Sequence, residues 1–133
     1  MTDDDLIAPE VLLIMRACPE VYGSGPWANK ESLLRDGFLC GPGWYPLLGR
    51  LSADLAAIIR QDRLTDFRVV QVKEKFGELR FYVKGANERA LIRITEAMRE
   101  AETTCERCSA PGCIGATDGW LSVLCDRCHA DLG

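Results

Sequence analysis

Apolar residues recur every three or four positions along two segments in the first half of the chain, which is the pattern of helices that bury one side. The first segment covers residues 6–18, and Pro19 is expected to end it. The second covers residues 44–62, and its stripe consists of Leu47, Leu48, Leu51, Leu55, Ile58 and Ile59. Between them we expect a short helix over residues 29–36, because Gly37 suits the left-handed position that follows a helix. These patterns predict three helices in the first half.

The periodicity changes to alternation in the middle of the chain. Residues 67–74 and 78–84 are rich in β-branched and aromatic side chains, and a tight turn near residues 75–77 joins them. The second strand alternates two sets of side chains, which are Leu79, Phe81 and Val83, and Arg80, Tyr82 and Lys84. Since successive side chains of a strand point to opposite faces, we expect one buried apolar face and one exposed basic face.

A further helix is predicted over residues 87–102, with Asn87 as its N-terminal cap. The side chains expected on its buried side are Ala90, Leu91, Ile94, Ala97, Met98 and Ala101. A lone hairpin is marginal in water, so the two strands must pack on helices or gain a third strand. We therefore expect an α+β protein whose body, residues 1–103, packs helices on a small antiparallel hairpin or sheet.

Four of the seven cysteines form two pairs near the C-terminus, namely Cys105, Cys108, Cys125 and Cys128. Their spacing, C-x2-C-x16-C-x2-C, lies within the window of zinc sites. Two thiolates separated by two residues both point inward from one tight turn, and two such turns complete a tetrahedron around Zn²⁺. A strand over residues 120–124 is expected to lead into the second turn. The sequence thus predicts a zinc ribbon, or knuckle, in a C-terminal module over residues 104–133.

The remaining cysteines and the single histidine are assigned no metal. Cys113 and His129 lie near the four ligands in sequence and are the residues that would replace one of them. Because two C-x2-C pairs satisfy Zn²⁺ alone, we expect Cys113 to be a spare thiol and His129 to be a surface or supporting residue. Cys18 and Cys40 are expected to be small buried residues. An odd and clustered set of cysteines argues against a disulfide framework.

The composition bounds the class of protein. Hydrophobic residues make up 47% of the chain and charged residues 27%, which are ordinary values for a globular domain and exclude a wholly disordered chain. No apolar run approaches the roughly 18 residues that a membrane crossing needs. The N-terminal residues are acidic where a secretory signal would be basic. These features predict a soluble, cytoplasmic protein.

The motifs give no reason to expect an enzyme. Four thiolates close the coordination shell of zinc, whereas a catalytic zinc keeps an open position for water. With one histidine, the chain cannot contain the H-E-x-x-H motif of a metalloprotease, and it lacks the H-x-E pair of a zinc deaminase. We expect no catalytic residues and no small-molecule substrate, and an enzyme built on carboxylates without a motif stays open as an alternative.

The charge distribution points to a possible contact surface. The formal net charge is −4, yet residues 67–99 carry eight basic and four acidic side chains. This excess is either a solvated face or an anion-contacting surface. Aromatic residues and arginine are enriched in interface hot spots, so Arg80, Tyr82 and Lys84 are the candidate binding residues. Trp27, Trp44 and Tyr45 are further candidates, although Trp44 and also Trp120 are expected in the core.

Three stretches carry a resemblance to known proteins: VKEKFGELRFYV at residues 72–83, CERC with PG at residues 105–112, and GWLSVLCD at residues 119–126. In this order, over roughly residues 44–130, they resemble a group of small bacterial proteins associated with phages and prophages. In that group the last ligand position is often histidine, where this chain has Cys128. The resemblance implies a mobile-element origin, a zinc-binding tail and no defined reaction. It also implies binding to a host protein, including components of antiviral defence.

The leading hypothesis is a non-enzymatic, zinc-stabilised binding protein of phage type that acts on a host macromolecule, with a protein as the expected partner. The alternative is a nucleic-acid-binding protein that uses the basic hairpin and the knuckle, where Arg107 and Arg127 flank the metal. Salt separates the two, because binding to nucleic acid weakens steeply with ionic strength and binding through an apolar protein interface does not.

Overall fold

The computed structural model describes residues 7–25 and 33–132. Within these residues the helices are α1 (Pro9–Ala17), α2 (Pro19–Tyr22), α3 (Tyr45–Asp62), α4 (Glu88–Ala101) and α5 (Asp126–Ala130). The strands are β1 (Phe38–Leu39), β2 (Arg68–Lys75), β3 (Glu78–Lys84), β4 (Cys113–Thr117) and β5 (Trp120–Leu124). Short 3-10 helices occupy Leu34–Asp36 and Pro42–Trp44. The predicted α+β class is confirmed.

The main sheet has three strands in the order β1-β2-β3. Strands β2 and β3 form the predicted antiparallel hairpin, whose register pairs Val72 with Phe81 and Lys73 with Arg80. The third strand, β1, pairs with β2 in parallel and places Phe38 beside Val72. The sheet is therefore mixed, and the hairpin gains both of the supports that its marginal stability requires, a third strand and helices on one face.

Helix α3 forms the centre of the core. All six apolar residues of its predicted stripe are buried, and Trp44, which precedes the helix, has no exposed surface. The buried side chains of β2 and β3, such as Val72 and Leu79, belong to the same apolar cluster. The spacing of apolar residues therefore predicted both the helix and the side that it buries, because a helix must cover one continuous stripe.

Helix α4 begins as predicted and buries a narrower stripe than predicted. The Asn87 side-chain oxygen accepts a hydrogen bond from the Ala90 N–H at 3.0 Å, which caps the helix. The fully buried residues are Ala90, Ile94, Ala97 and Ala101. The prediction that Leu91 is buried was wrong, since Leu91 is 50% exposed, and Met98 is only partly buried. Three of the four buried residues are alanines, so α4 contacts the core along a narrow line. Leu91 lies about 100° around the helix axis from Ala90 and therefore falls outside this line.

The N-terminal region differs from the prediction at two places. Helix α1 ends at Ala17, before Pro19, as predicted, and the difference is that Pro19 begins a further short helix, α2, at a position where proline is favoured. For the helix expected over residues 29–36, the described residues show only the final 3-10 turn, Leu34–Asp36, followed by Gly37 at φ 72° as predicted. Leu33 is described and is not helical, and residues 29–32 and Trp27 lie outside the described residues.

Candidate metal centre

Two short turns hold the paired cysteines of the knuckle, which is defined here as residues 105–128. In the first turn the Ser109 N–H donates to the Cys105 carbonyl oxygen at 3.0 Å, and the Cys105 N–H donates to the Ala110 carbonyl oxygen at 2.7 Å. In the second turn Cys125 caps α5, and the Cys128 N–H points at the Cys125 Sγ at 3.4 Å. The β4–β5 hairpin connects the turns and brings them together.

The four predicted ligand atoms lie in one cluster. All Sγ atoms of Cys105, Cys108, Cys125 and Cys128 are within 4.8 Å of one another, and the Cys108 and Cys125 Sγ atoms are 3.6 Å apart. A Zn–S bond of about 2.3 Å in a tetrahedron requires sulfur atoms about 3.8 Å apart. A disulfide would require about 2.05 Å, and these cysteines are free. The separations therefore match a four-thiolate metal site.

The cluster also has the electrostatics of a cation site. Burial opposes ionisation of Cys105, but N–H groups of the turns, led by that of Cys125, outweigh it and lower its pKa to about 6. At Cys128, the side-chain hydrogen bond with Cys125 and then burial raise the pKa to about 12. The Cys105 thiolate therefore forms readily, whereas the neighbouring sulfur atoms oppose ionisation of Cys128. A divalent cation removes that opposition, because it stabilises every coordinated thiolate.

Residues 41–44 form the seat of the knuckle. The Gly43 N–H donates to the Glu106 carbonyl oxygen at 2.7 Å, and the Ser109 hydroxyl donates to the Gly43 carbonyl oxygen at 2.6 Å. The Gly41 N–H donates to the Glu106 carboxylate at 2.8 Å, and the Trp44 Nε1–H donates to the Thr104 carbonyl oxygen at 2.9 Å. These contacts connect the start of α3 to the first cysteine turn.

Glycine is required in the seat because backbone approaches backbone there. A Cβ added at Gly43 would lie 2.7 Å from the Arg107 nitrogen and still closer to the Cys105 carbonyl oxygen. A Cβ added at Gly41 would overlap the Glu106 carbonyl oxygen. In the sequence these glycines are visible only as a break between helices, and their role depends on a partner more than 60 residues away in the chain.

A second contact joins the knuckle to the β2–β3 turn. Phe76 and Gly77 form this turn with φ values of 55° and 79°, and the Gly77 N–H donates to the Glu74 carboxylate at 2.7 Å. A Cβ at Gly77 would overlap the Ile114 side chain of β4. Val123 of β5 is fully buried and belongs to the main apolar cluster. The VKEKFGELRFYV stretch and the cysteine module, which are distant in sequence, therefore meet in space.

The other cysteines and His129 lie outside the four-sulfur cluster. Cys113 and His129 are both exposed. Burial raises the pKa of Cys18, and it raises the pKa of the half-buried Cys40 to about 12, to which the Glu106 and Glu74 carboxylates add. Both thiols are therefore weak nucleophiles at neutral pH, as expected for small core residues.

The candidate binding residues occupy the face of the sheet opposite the core, which is called the outer face below. Tyr82 is 44% exposed and Lys84 is exposed, while Arg80 is half-buried and forms an ion pair with Glu78 at 2.7 Å.

Trp44 is in the core as expected, so it is no contact residue. The expectation that Trp120 is a core residue was wrong, because its side chain is 70% exposed. Trp120 lies on the β4–β5 hairpin, and this two-stranded sheet is too small to bury so large a side chain.

A groove lies between the β2–β3 and β4–β5 hairpins, and no sequence pattern indicates it. It has a volume of about 350 Å³ and is lined by Lys73, Glu74, Lys75, Phe76, Gly119, Trp120 and Leu121. Lys73 and Lys75 lie on β2, and the register pairs them with Arg80 and Glu78 on the outer face, whereas the sequence analysis used only the alternation of β3. The aromatic side of the groove was not visible, because it depends on the docking of β5 beside the β2–β3 turn.

The fold and the cysteine cluster together define the class of this protein as an α+β protein with a C-terminal four-cysteine knuckle that can hold a metal ion. Comparisons with family models, curated proteins and solved structures find no match to this chain. Among the described residues, every helix is too short or too polar to cross a membrane.

Proposed function

We propose that the knuckle binds one Zn²⁺ through Cys105, Cys108, Cys125 and Cys128, and that the chain is a non-enzymatic binding protein stabilised by this metal. The observation that carries the proposal is the cluster of four Sγ atoms within 4.8 Å of one another. Closed tetrahedral sites of four thiolates are typical of structural zinc in proteins. With four protein ligands the metal keeps no position for water or substrate, so its role is structural.

The partner is a macromolecule of a host cell. The resemblance to phage-associated proteins supports this partner class, including components of antiviral defence, and the acidic N-terminal residues favour a cytoplasmic location over a secreted one. A reducing compartment also keeps the cysteines available to metal rather than oxidised to disulfides. On the side of this chain, the outer face of β2 and β3 supports the proposal, since it presents basic side chains and Tyr82 beside one another.

The metal content is the first test. The purified protein is expected to contain about one zinc per chain, and Cys108→Ala combined with Cys125→Ala is expected to lose it, because two thiolates cannot hold zinc tightly. Cys113→Ser and His129→Ala are the matched controls and are expected to keep the metal. Elemental analysis of the purified variants measures all four outcomes. A wild-type protein without zinc, or a double variant that retains it fully, would contradict the proposal.

The outer face is the second test. Replacing Arg80 and Lys84 with glutamate is expected to change the free energy of unfolding by no more than about 1 kcal/mol, since Lys84 is exposed and the half-buried Arg80 pairs with the 55% exposed Glu78 in an ion pair that solvent still screens. Heparin serves as the anionic probe, and its binding is expected to weaken sharply in the variant. Denaturant titration and heparin affinity are measured on the same preparation. A variant that folds normally and binds heparin as tightly as the wild type would remove Arg80 and Lys84 from the functional surface.

A further inference from the structure

The groove between the two hairpins is an unusual surface for a protein of net negative charge. Two large aromatic side chains are exposed in it, Trp120 at 70% and Phe76 at 64%. Lys73 and Lys75 lie beside them, and the Lys75 ammonium is 5.7 Å from the centre of the Phe76 ring. Exposed aromatic rings are unfavourably hydrated and add nothing to the stability of the core. A cluster of such rings rimmed by lysines therefore indicates a contact surface.

The groove is held in shape by the fold. Its two walls are the end of β2 and the start of β5, and the contact of Gly77 with Ile114 fixes the distance between the hairpins. The acidic residue of the lining, Glu74, is engaged by the Gly77 N–H at 2.7 Å and stabilises the turn. The walls of the groove are therefore formed before a partner binds, and binding does not incur the entropic cost of ordering them.

A strip of basic side chains continues from the groove along the outer face. The register places Lys73 beside Arg80, Gln71 beside Tyr82 and Arg68 beside Lys84. The outer face of β2 and β3 carries five basic residues, Arg68, Lys73, Lys75, Arg80 and Lys84, against one acidic residue, Glu78, which pairs with Arg80. The surface is thus positively charged along its length, with aromatic rings at Tyr82 and at the groove.

We propose that the groove and the outer face bind single-stranded nucleic acid, with bases stacked on Trp120 and Phe76 and phosphates neutralised by Lys73 and Lys75. Unpaired bases stack on exposed aromatic side chains, whereas the bases of a duplex are already stacked on one another. An acidic peptide would satisfy the lysines but would leave the two rings without planar partners. The proposal rests on the proposed function, because the zinc-held knuckle positions Trp120, and it specifies the partner class.

Fluorescence anisotropy with labelled oligothymidylate and oligouridylate, across a series of salt concentrations, tests the proposal on the zinc-loaded full chain. Trp120→Ala is expected to weaken binding by about tenfold, within the range measured for the loss of one stacked base. Trp120→Phe keeps a ring and is expected to retain most of the affinity. Lys73→Glu with Lys75→Glu is expected to weaken binding and to make the salt slope shallower by about 1.4, at about 0.7 per phosphate contact on a single strand.

Two matched control variants test whether the loss of binding is specific to the groove and the outer face, or follows from the loss of any exposed apolar or basic side chain. Leu13→Ala removes a side chain of α1 that is 72% exposed, and Arg99→Glu reverses one exposed charge on α4, which packs on the core side of the sheet. Both variants are expected to bind the oligonucleotides as the wild type does. Zinc content and denaturant stability are measured for every variant, so that a misfolded protein is not counted as a weak binder.

Several outcomes would overturn the proposal while leaving the proposed function intact. Zinc-loaded wild type that binds neither oligonucleotide at low salt would do so. Equal affinity for a duplex of the same sequence would exclude base stacking. Equal competition by polyglutamate, with Trp120→Ala unchanged, would assign the surface to an acidic protein instead. By contrast, a wild-type chain that contains no zinc would contradict the proposed function itself, whatever the oligonucleotide result.

Discussion

Chelation of the metal is expected to unfold the knuckle, residues 105–128, while α3 and the β2–β3 hairpin stay folded. The apolar cluster of the knuckle consists of Cys105, Leu124 and Cys128, with Cys125 packed against it. Three of these four side chains are the proposed ligands, so little apolar contact remains once the metal is removed. Structural zinc sites contribute about 10–16 kcal/mol of apparent binding energy in small domains, which greatly exceeds what this cluster can supply alone.

The main apolar cluster is centred on α3, and Val123 is its only fully buried residue from the knuckle, so burial in the body depends little on the metal. Hydrogen exchange measured before and after chelation is expected to show lost protection in the knuckle and at the Gly43 N–H, which donates to Glu106. Protection of the α3 amides is expected to persist. Loss of protection throughout the chain would show that the knuckle, through Val123 and its seat, belongs to one cooperative unit. The division at residues 103 and 104 would then be wrong.

Gly43→Ala is expected to lower the free energy of unfolding by about 3 kcal/mol, at the upper end of the range for overpacking, and to weaken zinc binding. The added Cβ would overlap the backbone of Cys105 and Arg107, which cannot rotate away as a flexible side chain can. The first cysteine turn would have to move off its seat, and this movement disturbs the ligand geometry. Denaturant titration and competition with a chelator measure the two effects.

Gly115→Ala is the matched control for Gly43→Ala. Gly115 also lies in the knuckle, within β4, and a Cβ placed there meets no atom within 4 Å. This variant is expected to retain both stability and zinc affinity, to within about 0.5 kcal/mol. If Gly43→Ala behaved like Gly115→Ala, the close approach of the seat to the first cysteine turn would not describe the protein in solution.

The elements that the sequence predicted well are those whose signal is local. The stripe of α3, the alternation of Leu79 and Phe81 in β3, and the cap at Asn87 each depend on neighbours within a few positions. The paired cysteine spacing is local for the same reason, since each turn is four residues long. Such patterns survive folding because the period of a helix or strand decides which side chains share a face.

The predictions that were wrong concern which side chains are buried when one element packs against another. Leu91 was assigned to a buried stripe and Trp120 to the core, yet both are exposed. Neither error is visible in the periodicity, because burial depends on the width of the layer that packs against a residue. The short β1 strand carries no periodic signal at two residues, and its parallel pairing with β2 requires contact across more than 30 positions of the chain.

Local patterns in the sequence predict the α+β class, the positions of α3, α4 and the β2–β3 hairpin, and the four cysteines that form the cluster. They do not predict that Gly41 and Gly43 seat the first cysteine turn or that Trp120 stands beside Lys73 in a groove. The difference comes from the range of the interactions involved. Periodicity and turn spacing act over a few residues, whereas the seat and the groove arise from surfaces that meet only when distant segments pack together.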